Sequence, residues 1–164
     1  MTSTAKKSTT EAKSAKTQDA ISLLRADHKL VEQLFEQYEK TRSPAKKQEI
    51  IEEICAELTI HAQIEEEIFY PQAQSALKDH EMVPEAEVEH ATLKSLIAQL
   101  QEEDRDANAE MYDAKVKVLC EYVQHHVKAE QNEVLPKVRE SKLDLTDLAE
   151  QLQERKQDLQ ARLD

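Results

Sequence analysis

Apolar residues recur at alternating spacings of three and four in four segments of the chain. This pattern is typical of the buried face of an amphipathic helix. The four segments begin near Ile21, Ile51, Ala86 and Tyr112. The spacing predicts helices over about 19–41, 44–77, 84–103 and 106–140. Because the connections between them are short, we expect an all-α, up-down-up-down four-helix bundle.

Prolines mark several of the predicted helix boundaries. Ser43 followed by Pro44 supplies an N-cap and a proline at the first helical position of the second helix. Pro84 is expected to open the third helix. Pro71 lies inside the second helix and Pro136 inside the fourth, and a proline in a helix interior should kink or end it.

Two segments lie outside the predicted bundle, which covers 18–140. Residues 1–17 contain Ser, Thr, Ala and Lys but no large apolar side chain apart from the initial Met, which predicts a disordered tail. Residues 141–164 place Leu145, Leu148, Leu152 and Leu159 among many charges. This segment is expected to form a fifth helix that packs on the outside of the bundle or binds a protein partner.

The composition excludes several classes of protein. The chain has no glycine, which removes the Gly-rich phosphate loops of nucleotide-binding folds and the nucleophile elbow of serine hydrolases. The formal net charge of −12 disfavours nucleic acids and anionic membranes as partners.

The expected location is the cytoplasm. No apolar run is long enough to span a bilayer, and the first residues lack the apolar stretch of a secretory signal. Two cysteines, Cys55 and Cys120, do not make a disulfide framework, and both are expected to be reduced and partly buried.

Each predicted helix has a histidine on its apolar face, where Leu or Ile would be expected, and two of these histidines precede a glutamate by four residues. The six residues are His28, His61, Glu65, His90, His126 and Glu130. Residues four apart share one face of a helix, at roughly 5–6 Å between Cβ atoms. Because an ionised carboxylate buried alone is too costly, the pattern predicts a cation between the four helices.

The chain also repeats itself. Segments 61–71 and 126–136 share His, Glu and Pro at matching places, and segments 26–35 and 88–97 share an acidic residue followed by His. Two similar helix hairpins related by a rough twofold predict two metals rather than one. Imidazole with carboxylate suits iron, and manganese or zinc less well, while the lack of cysteine on these faces argues against structural zinc.

These motifs resemble the hemerythrin-like HHE cation-binding domain family, over about residues 21 to 139. The resemblance implies two non-haem iron ions, which an oxo or hydroxo ligand could bridge. It makes the four histidines terminal ligands and makes Glu65 and Glu130 bridges. Members include oxygen carriers, oxygen or iron sensors and stress-related proteins. The expected function is therefore to bind or respond to dioxygen or another small oxidant, by sensing, scavenging or buffering, without catalytic residues.

One position departs from the family. Oxygen-carrying members have a further histidine where this chain has Ala86. The more open site leaves two alternatives: a di-iron oxidoreductase of the peroxidase, catalase or nitric-oxide-handling kind, or an interaction module that the metal only stabilises.

Four other side chains near the apolar helix faces are considered as additional ligands. For each of them we expect a solvated position or one outside the direct ligands. They are Glu57, Glu87, Tyr122 and His125. Tyr122 is expected to matter most, because it precedes His126 by four residues on the same face. Phe69 and Tyr70 are expected to pack the end of the bundle and to exclude water.

Overall fold

A computed structural model describes residues 18–78 and 80–163 of the chain. The predicted disordered tail, residues 1–17, lies outside the described residues. Within the described ranges the regular secondary structure is helical, with no strand.

The helices run as follows: α1 Ala20–Lys40, α2 Pro44–Ile64, α3 Tyr70–Ala76, α4 Met82–Glu102, α5 Ala109–Ala129, α6 Leu135–Glu140 and α7 Leu145–Leu163. Single π-helical turns, Glu65–Phe69 and Glu130–Val134, join α2 to α3 and α5 to α6 into two continuous rods. Helix α1 packs against α2 and α5, and α4 packs against the same two helices. The predicted all-α four-helix bundle is confirmed.

Short side chains cap the starts of α1, α2 and α5, and two helix starts differ from the sequence-based prediction. Helix α4 begins at Met82 rather than Pro84. Helix α5 begins at Ala109 rather than near Asp106, because the side chain of Asn108 accepts a hydrogen bond from the Met111 N–H at 3.1 Å. A capped N–H is one fewer unpaired donor, which favours a start at this point.

The internal prolines do not end the two rods, and the change in helical geometry begins before each proline. The α-helical geometry changes upstream of Pro71, at Glu65, where the π turn is closed by the Tyr70 N–H donating to the Glu65 carbonyl. Pro71 then occupies the first turn of α3, where a missing N–H costs little. Pro136 stands in the same relation to the π turn at Glu130. Single π turns occur often at functional sites.

The core is divided into two apolar clusters with a polar layer between them. One cluster contains Leu24 and Ile64, and the other contains Val31 and Leu58. His28 lies between Leu24 and Val31 along α1, and His61 lies between Leu58 and Ile64 along α2. The histidines therefore form the boundary between two packed cores.

The predicted fifth helix is present as α7, which packs against α1, α2 and the first π turn. Leu148, Leu152 and Leu159 are buried in the cluster that contains Leu24. Arg155 forms an ion pair with Glu67 in the π turn, with 2.8 Å between Nε and Oε2. That α7 binds a protein partner stays a prediction. Among the described residues, no helix has the length and apolar character needed to cross a membrane.

Candidate metal centre

The polar layer brings together the four histidines predicted on the apolar faces of the helices. Nε2 of His28 lies 3.2 Å from Nε2 of His61, and Nε2 of His90 lies 3.1 Å from Nε2 of His126. All four side chains are buried. Each pair joins two neighbouring helices, so the four rings form two pairs whose Nε2 atoms point inward.

The two glutamates lie between the histidine pairs. Oε1 of Glu65 is 2.8 Å from Nε2 of His61 and 3.5 Å from Nε2 of His90. Glu130 uses its two oxygens separately: Oε1 is 3.4 Å from Nε2 of His28, and Oε2 is 3.4 Å from Nε2 of His126. Each carboxylate thus faces one histidine of each pair, which is the geometry of a bridging ligand.

Several oxygens of this layer have no hydrogen-bond donor within the described part of the chain. They are Oε1 and Oε2 of Glu65 and Oε1 of Glu130. An unpaired buried carboxylate costs several kcal/mol. Two groups with suitable donor atoms, His28–His61–Glu130 and Glu65–His90–His126, each have those atoms within 4.8 Å of one another. The arrangement therefore fits cations at two positions.

The electrostatics of the layer favour positive charge. Burial opposes protonation of His61, but the Glu65 carboxylate and the hydrogen bond to Asp27 outweigh it and raise the pKa of His61 well above its usual value. Burial also opposes protonation of His126, but its contacts with Glu130 raise its pKa to about 9. Burial by itself would raise the pKa of Glu130, yet the nearby imidazoles of His126 and His28 hold it well below its usual range.

An outer layer of carboxylates orients two of the rings across helices. Nδ1 of His61 donates to Oδ2 of Asp27 at 2.9 Å, and Nδ1 of His126 donates to Oε2 of Glu89 at 2.5 Å. These acids are the ones that precede His28 and His90 in the sequence repeat. A carboxylate on Nδ1 fixes the tautomer that presents Nε2 to a metal and increases its basicity.

The residues that follow the two glutamates lie beside the other two rings, but only His28 is within hydrogen-bond distance of its neighbour. Nδ1 of His90 has no hydrogen-bond partner among the described residues. Nδ1 of His28 lies 2.9 Å from Oε1 of Gln131, and Nδ1 of His90 lies 3.8 Å from Oε1 of Glu66. The repeat therefore extends to the outer layer, where it places an amide in one half and a carboxylate in the other.

Family comparison agrees with this geometry. The model of the hemerythrin HHE cation binding domain matches residues 19–138, which is most of the chain. The chain belongs to this family. The predicted family is thus confirmed, and metal binding follows as its shared chemistry.

Two similar proteins place the chain among hemerythrin-like domains. A hemerythrin HHE cation binding domain-containing protein from Mycobacterium kansasii superposes with a TM-score of 0.76, covering 89% of this chain and 90% of that one at 19% identity. At that identity it shows the fold alone. A protein of Nostoc sp. (strain PCC 7120 / SAG 25.82 / UTEX 2576) described as a DNA nickase is 29% identical over 117 residues. That match spans 71% of this chain but only 32% of the Nostoc protein.

A tyrosine joins the centre of this hemerythrin-like domain, although sequence reasoning assigned it only to packing. The Tyr70 hydroxyl donates to Oε2 of Glu130 at 2.9 Å and lies 3.2 Å from Nε2 of His90. Burial and the carboxylates of Glu65 and Glu130 raise the pKa of Tyr70 well above its usual value. The sequence carries no signal for this role, because the π turn that places Tyr70 one turn after Glu65 is seen only in the structure.

The other candidates do not join the layer. Glu87 and His125 are exposed, Glu57 is half-buried, and the Tyr122 side chain is 45% exposed. Ala86, where oxygen carriers of this family have a further histidine, is buried in the apolar cluster that also contains Tyr70. The expectation that Tyr122 would matter most is not supported by its exposure, whereas the buried phenol is that of Tyr70.

A small apolar cavity touches the histidines on the side toward the second core cluster. Its volume is about 30 Å³, and apolar side chains such as Val31, Leu93 and Val123 line it together with all four histidines. A cavity of this size is large enough for one water molecule or one diatomic molecule. Because its wall is mainly apolar, it suits an uncharged molecule.

Proposed function

We propose that this hemerythrin-like protein binds two iron ions between its four helices and uses them to bind or sense dioxygen or a similar small oxidant. The observation that carries the proposal is the pair of three-residue donor groups with two carboxylates between them. Iron would supply the reversible one-electron chemistry that protein side chains lack.

The proposed ligand sets follow from the distances. His28 and His61 would hold one ion and His90 and His126 the other, while Glu65 and Glu130 would bridge both. Imidazole and carboxylate donors favour iron over softer metals, and neither cysteine belongs to the two donor groups. Tyr70 would contribute either a hydrogen bond or a phenolate at the His90–His126 position.

The small apolar cavity supports an uncharged diatomic ligand over a charged substrate. Its lining includes His28 and His90 together with Leu93 and Val123. An apolar wall does not satisfy the hydrogen bonds of a polar substrate, so the cavity disfavours binding of such molecules. Binding or sensing is therefore proposed ahead of peroxidase chemistry, whose peroxide substrate is polar. Nitric oxide, an uncharged diatomic molecule like dioxygen, stays the alternative ligand.

Nucleic-acid cleavage is not carried over from the Nostoc relative. The matching part of that protein is about a third of its length. The net charge of −12 would repel a polyanion. The proposed location is cytoplasmic, an inference supported by the two free cysteines, Cys55 and Cys120.

The deciding experiment is metal analysis combined with an optical spectrum of protein purified without air. We expect about two irons per chain and new near-ultraviolet charge-transfer bands when oxygen is admitted. A Glu65→Ala, Glu130→Ala double variant should lose most of the iron, whereas Glu49→Ala, Glu133→Ala, at two exposed positions, should keep it. Clearly less than one metal per chain in reconstituted wild-type protein would end the proposal.

A further inference from the structure

The C-terminal helix places a lysine on the outer layer of the centre. Nζ of Lys156 donates to Oδ1 of Asp27 at 2.5 Å, and the other oxygen of Asp27 accepts the hydrogen bond from Nδ1 of His61. The Lys156 side chain is 16% exposed and that of Asp27 is 6% exposed. Solvent and salt therefore screen this pair only weakly.

The other half of the centre lacks this arrangement. Glu89 takes the place of Asp27 and accepts from Nδ1 of His126, but no lysine or arginine within 18–78 and 80–163 pairs with it. The difference arises because α7 packs on α1 and α2 and so covers one half of a bundle that is otherwise a rough repeat.

The remaining outer groups also differ between the two halves. Next to His28 lies the neutral amide of Gln131, whereas next to His90 lies the carboxylate of Glu66, whose charge Lys94 balances. Glu57 also interacts with Asp27, Lys156 and His61, so each half carries one net negative outer charge. The halves differ in where the cation lies, because Lys156 contacts the carboxylate that accepts from a histidine Nδ1, whereas Lys94 contacts Glu66 instead of Glu89. The hydroxyl of Tyr70 also lies on the second side.

We propose that Lys156 makes the two metal positions electrostatically unequal, so that the His28–His61 position holds the more easily reduced iron. The inference rests on the proposed function, because it presumes two bound irons. A carboxylate on Nδ1 increases electron donation from imidazole to a metal, and a cation on that carboxylate reduces the effect. Lys156 acts through Asp27 and His61 and is therefore a positioning residue.

The redox consequence is a stepwise reduction. Ferric ions held by the His28–His61 and His90–His126 pairs would each take one electron from dithionite, the electron donor in the test, and become ferrous. The position near Lys156 would accept the first electron, because the cation on Asp27 reduces electron donation through His61. The position near Glu89 and Tyr70 accepts the second electron at a lower potential.

The test uses the full chain and three variants. Lys156→Met removes the charge and keeps the aliphatic stem, and Lys156→Arg keeps the charge. Lys115→Met is the matched control, because Lys115 also pairs with a carboxylate, that of Glu103, and its side chain is similarly buried at 22% exposed. Wild-type protein loaded with ⁵⁷Fe should show two Mössbauer sites that are reduced one after the other.

In Lys156→Met the separation between the two steps should shrink. The ferrous-to-ferric ratio at the first position should fall by roughly tenfold at a fixed potential, an order of magnitude expected for one weakly screened charge. Lys156→Arg should restore the separation and Lys115→Met should leave it unchanged. Simultaneous reduction of both irons in wild-type protein, or no change in Lys156→Met, would overturn the inference while leaving the proposed function intact.

A second readout needs no redox chemistry. In the protein loaded with Zn²⁺, which is diamagnetic, the Nδ1–H proton of His61 should shift in the NMR spectrum of Lys156→Met. The Nδ1–H proton of His126 should not move. Equal shifts at both histidines would indicate a general structural effect and contradict the inference. Failure of the chain to bind two metals would instead overturn the proposed function and the inference with it.

Discussion

The Tyr70 hydroxyl donates a 2.9 Å hydrogen bond to Oε2 of Glu130, although 60 residues separate them along the chain. The contact joins the rod α2–α3 to the rod α5–α6 at the level of the proposed ligands. It also gives a buried oxygen of Glu130 the donor that its other oxygen lacks.

Replacement of Tyr70 by Phe should therefore act on both stability and the spectrum. Loss of the buried donor should lower the free energy of unfolding of the metal-free protein by about 1–3 kcal/mol. The absorption spectrum of the iron-loaded protein should also change, because the phenol lies beside Glu130 and His90.

Tyr112→Phe is the control for this prediction. Tyr112 is equally buried and donates to the carbonyl of Leu100, in the core cluster on the far side of the histidine layer. This substitution should lower the free energy of unfolding by a similar amount and leave the iron spectrum unchanged. Identical iron spectra for Tyr70→Phe and wild-type protein would contradict a role of Tyr70 at the centre.

The stability of the metal-free protein should decrease as the pH rises from about 6.5 to about 9. His126 has a pKa of about 9 in the folded chain, above its ordinary value of 6.5. A pKa that is higher in the folded state stabilises the fold. This contribution has its full value below about pH 6.5 and is lost as the pH rises through about 9. The contribution of His126 is roughly 3 kcal/mol. Denaturant unfolding followed by circular dichroism measures it.

His126→Gln should remove part of this dependence, and His125→Gln, which alters an exposed neighbour, should preserve it. Metal binding must displace the same protons, so metal affinity should increase over the same pH range. Stability that is constant or increases from about pH 6.5 to about pH 9 would contradict the protonated state assigned to His126.

The outer carboxylates should control metal affinity. Asp27→Asn and Glu89→Gln each weaken the acceptor on a histidine Nδ1, and loss of such a partner costs about 10–100-fold in affinity. Competition with a chromophoric chelator measures the change. Glu87→Gln, at an exposed position near Glu89, should bind metal like the wild-type protein. An equal loss in all three variants would indicate that net charge, rather than orientation of the rings, determines affinity.

Filling the small apolar cavity should slow the response to oxygen without removing the metal. Val123→Ile adds one methylene group at the cavity wall, with a cost of up to about 1–3 kcal/mol if the core cannot adjust. Stopped-flow mixing of the reduced protein with oxygen gives the rate. Val118→Ile is the same change on the same helix at a side chain that is 40% exposed, and it should have no effect. Equal rates in the two variants would argue against this cavity as the oxidant site.

Local periodicity was sufficient to predict the bundle and its polar layer. The relation between His61 and Glu65 depends only on four residues of α-helix, and the same holds for His126 and Glu130. A carboxylate on the buried apolar face of a helix is costly unless a cation or another partner balances its charge. Helices and candidate ligands could therefore be read from the chain without knowledge of its packing.

The π turns limited this reading. A strict α-helical period continues the buried face of the second predicted helix from Glu65 to Ile68. In the structure, however, Phe69 is fully buried and Ile68 only partly. The extra residue in the turn shifts the buried face by one position and brings Tyr70 to the centre. The choice of Tyr122 failed for another reason. Helix α5 is unbroken from Ala109 to Ala129, and its buried face contains Val123 and His126, which leaves Tyr122 exposed.

What the sequence determined by itself is therefore the helical class, the family and the residues that face inward, because these depend on spacing within one helix. Only the tertiary structure decided that Asp27 supports His61 rather than its neighbour His28, and that Lys156 reaches Asp27 from α7. Such contacts join residues far apart in the chain. Their geometry depends on how the helices pack against one another, which no local pattern of residues encodes.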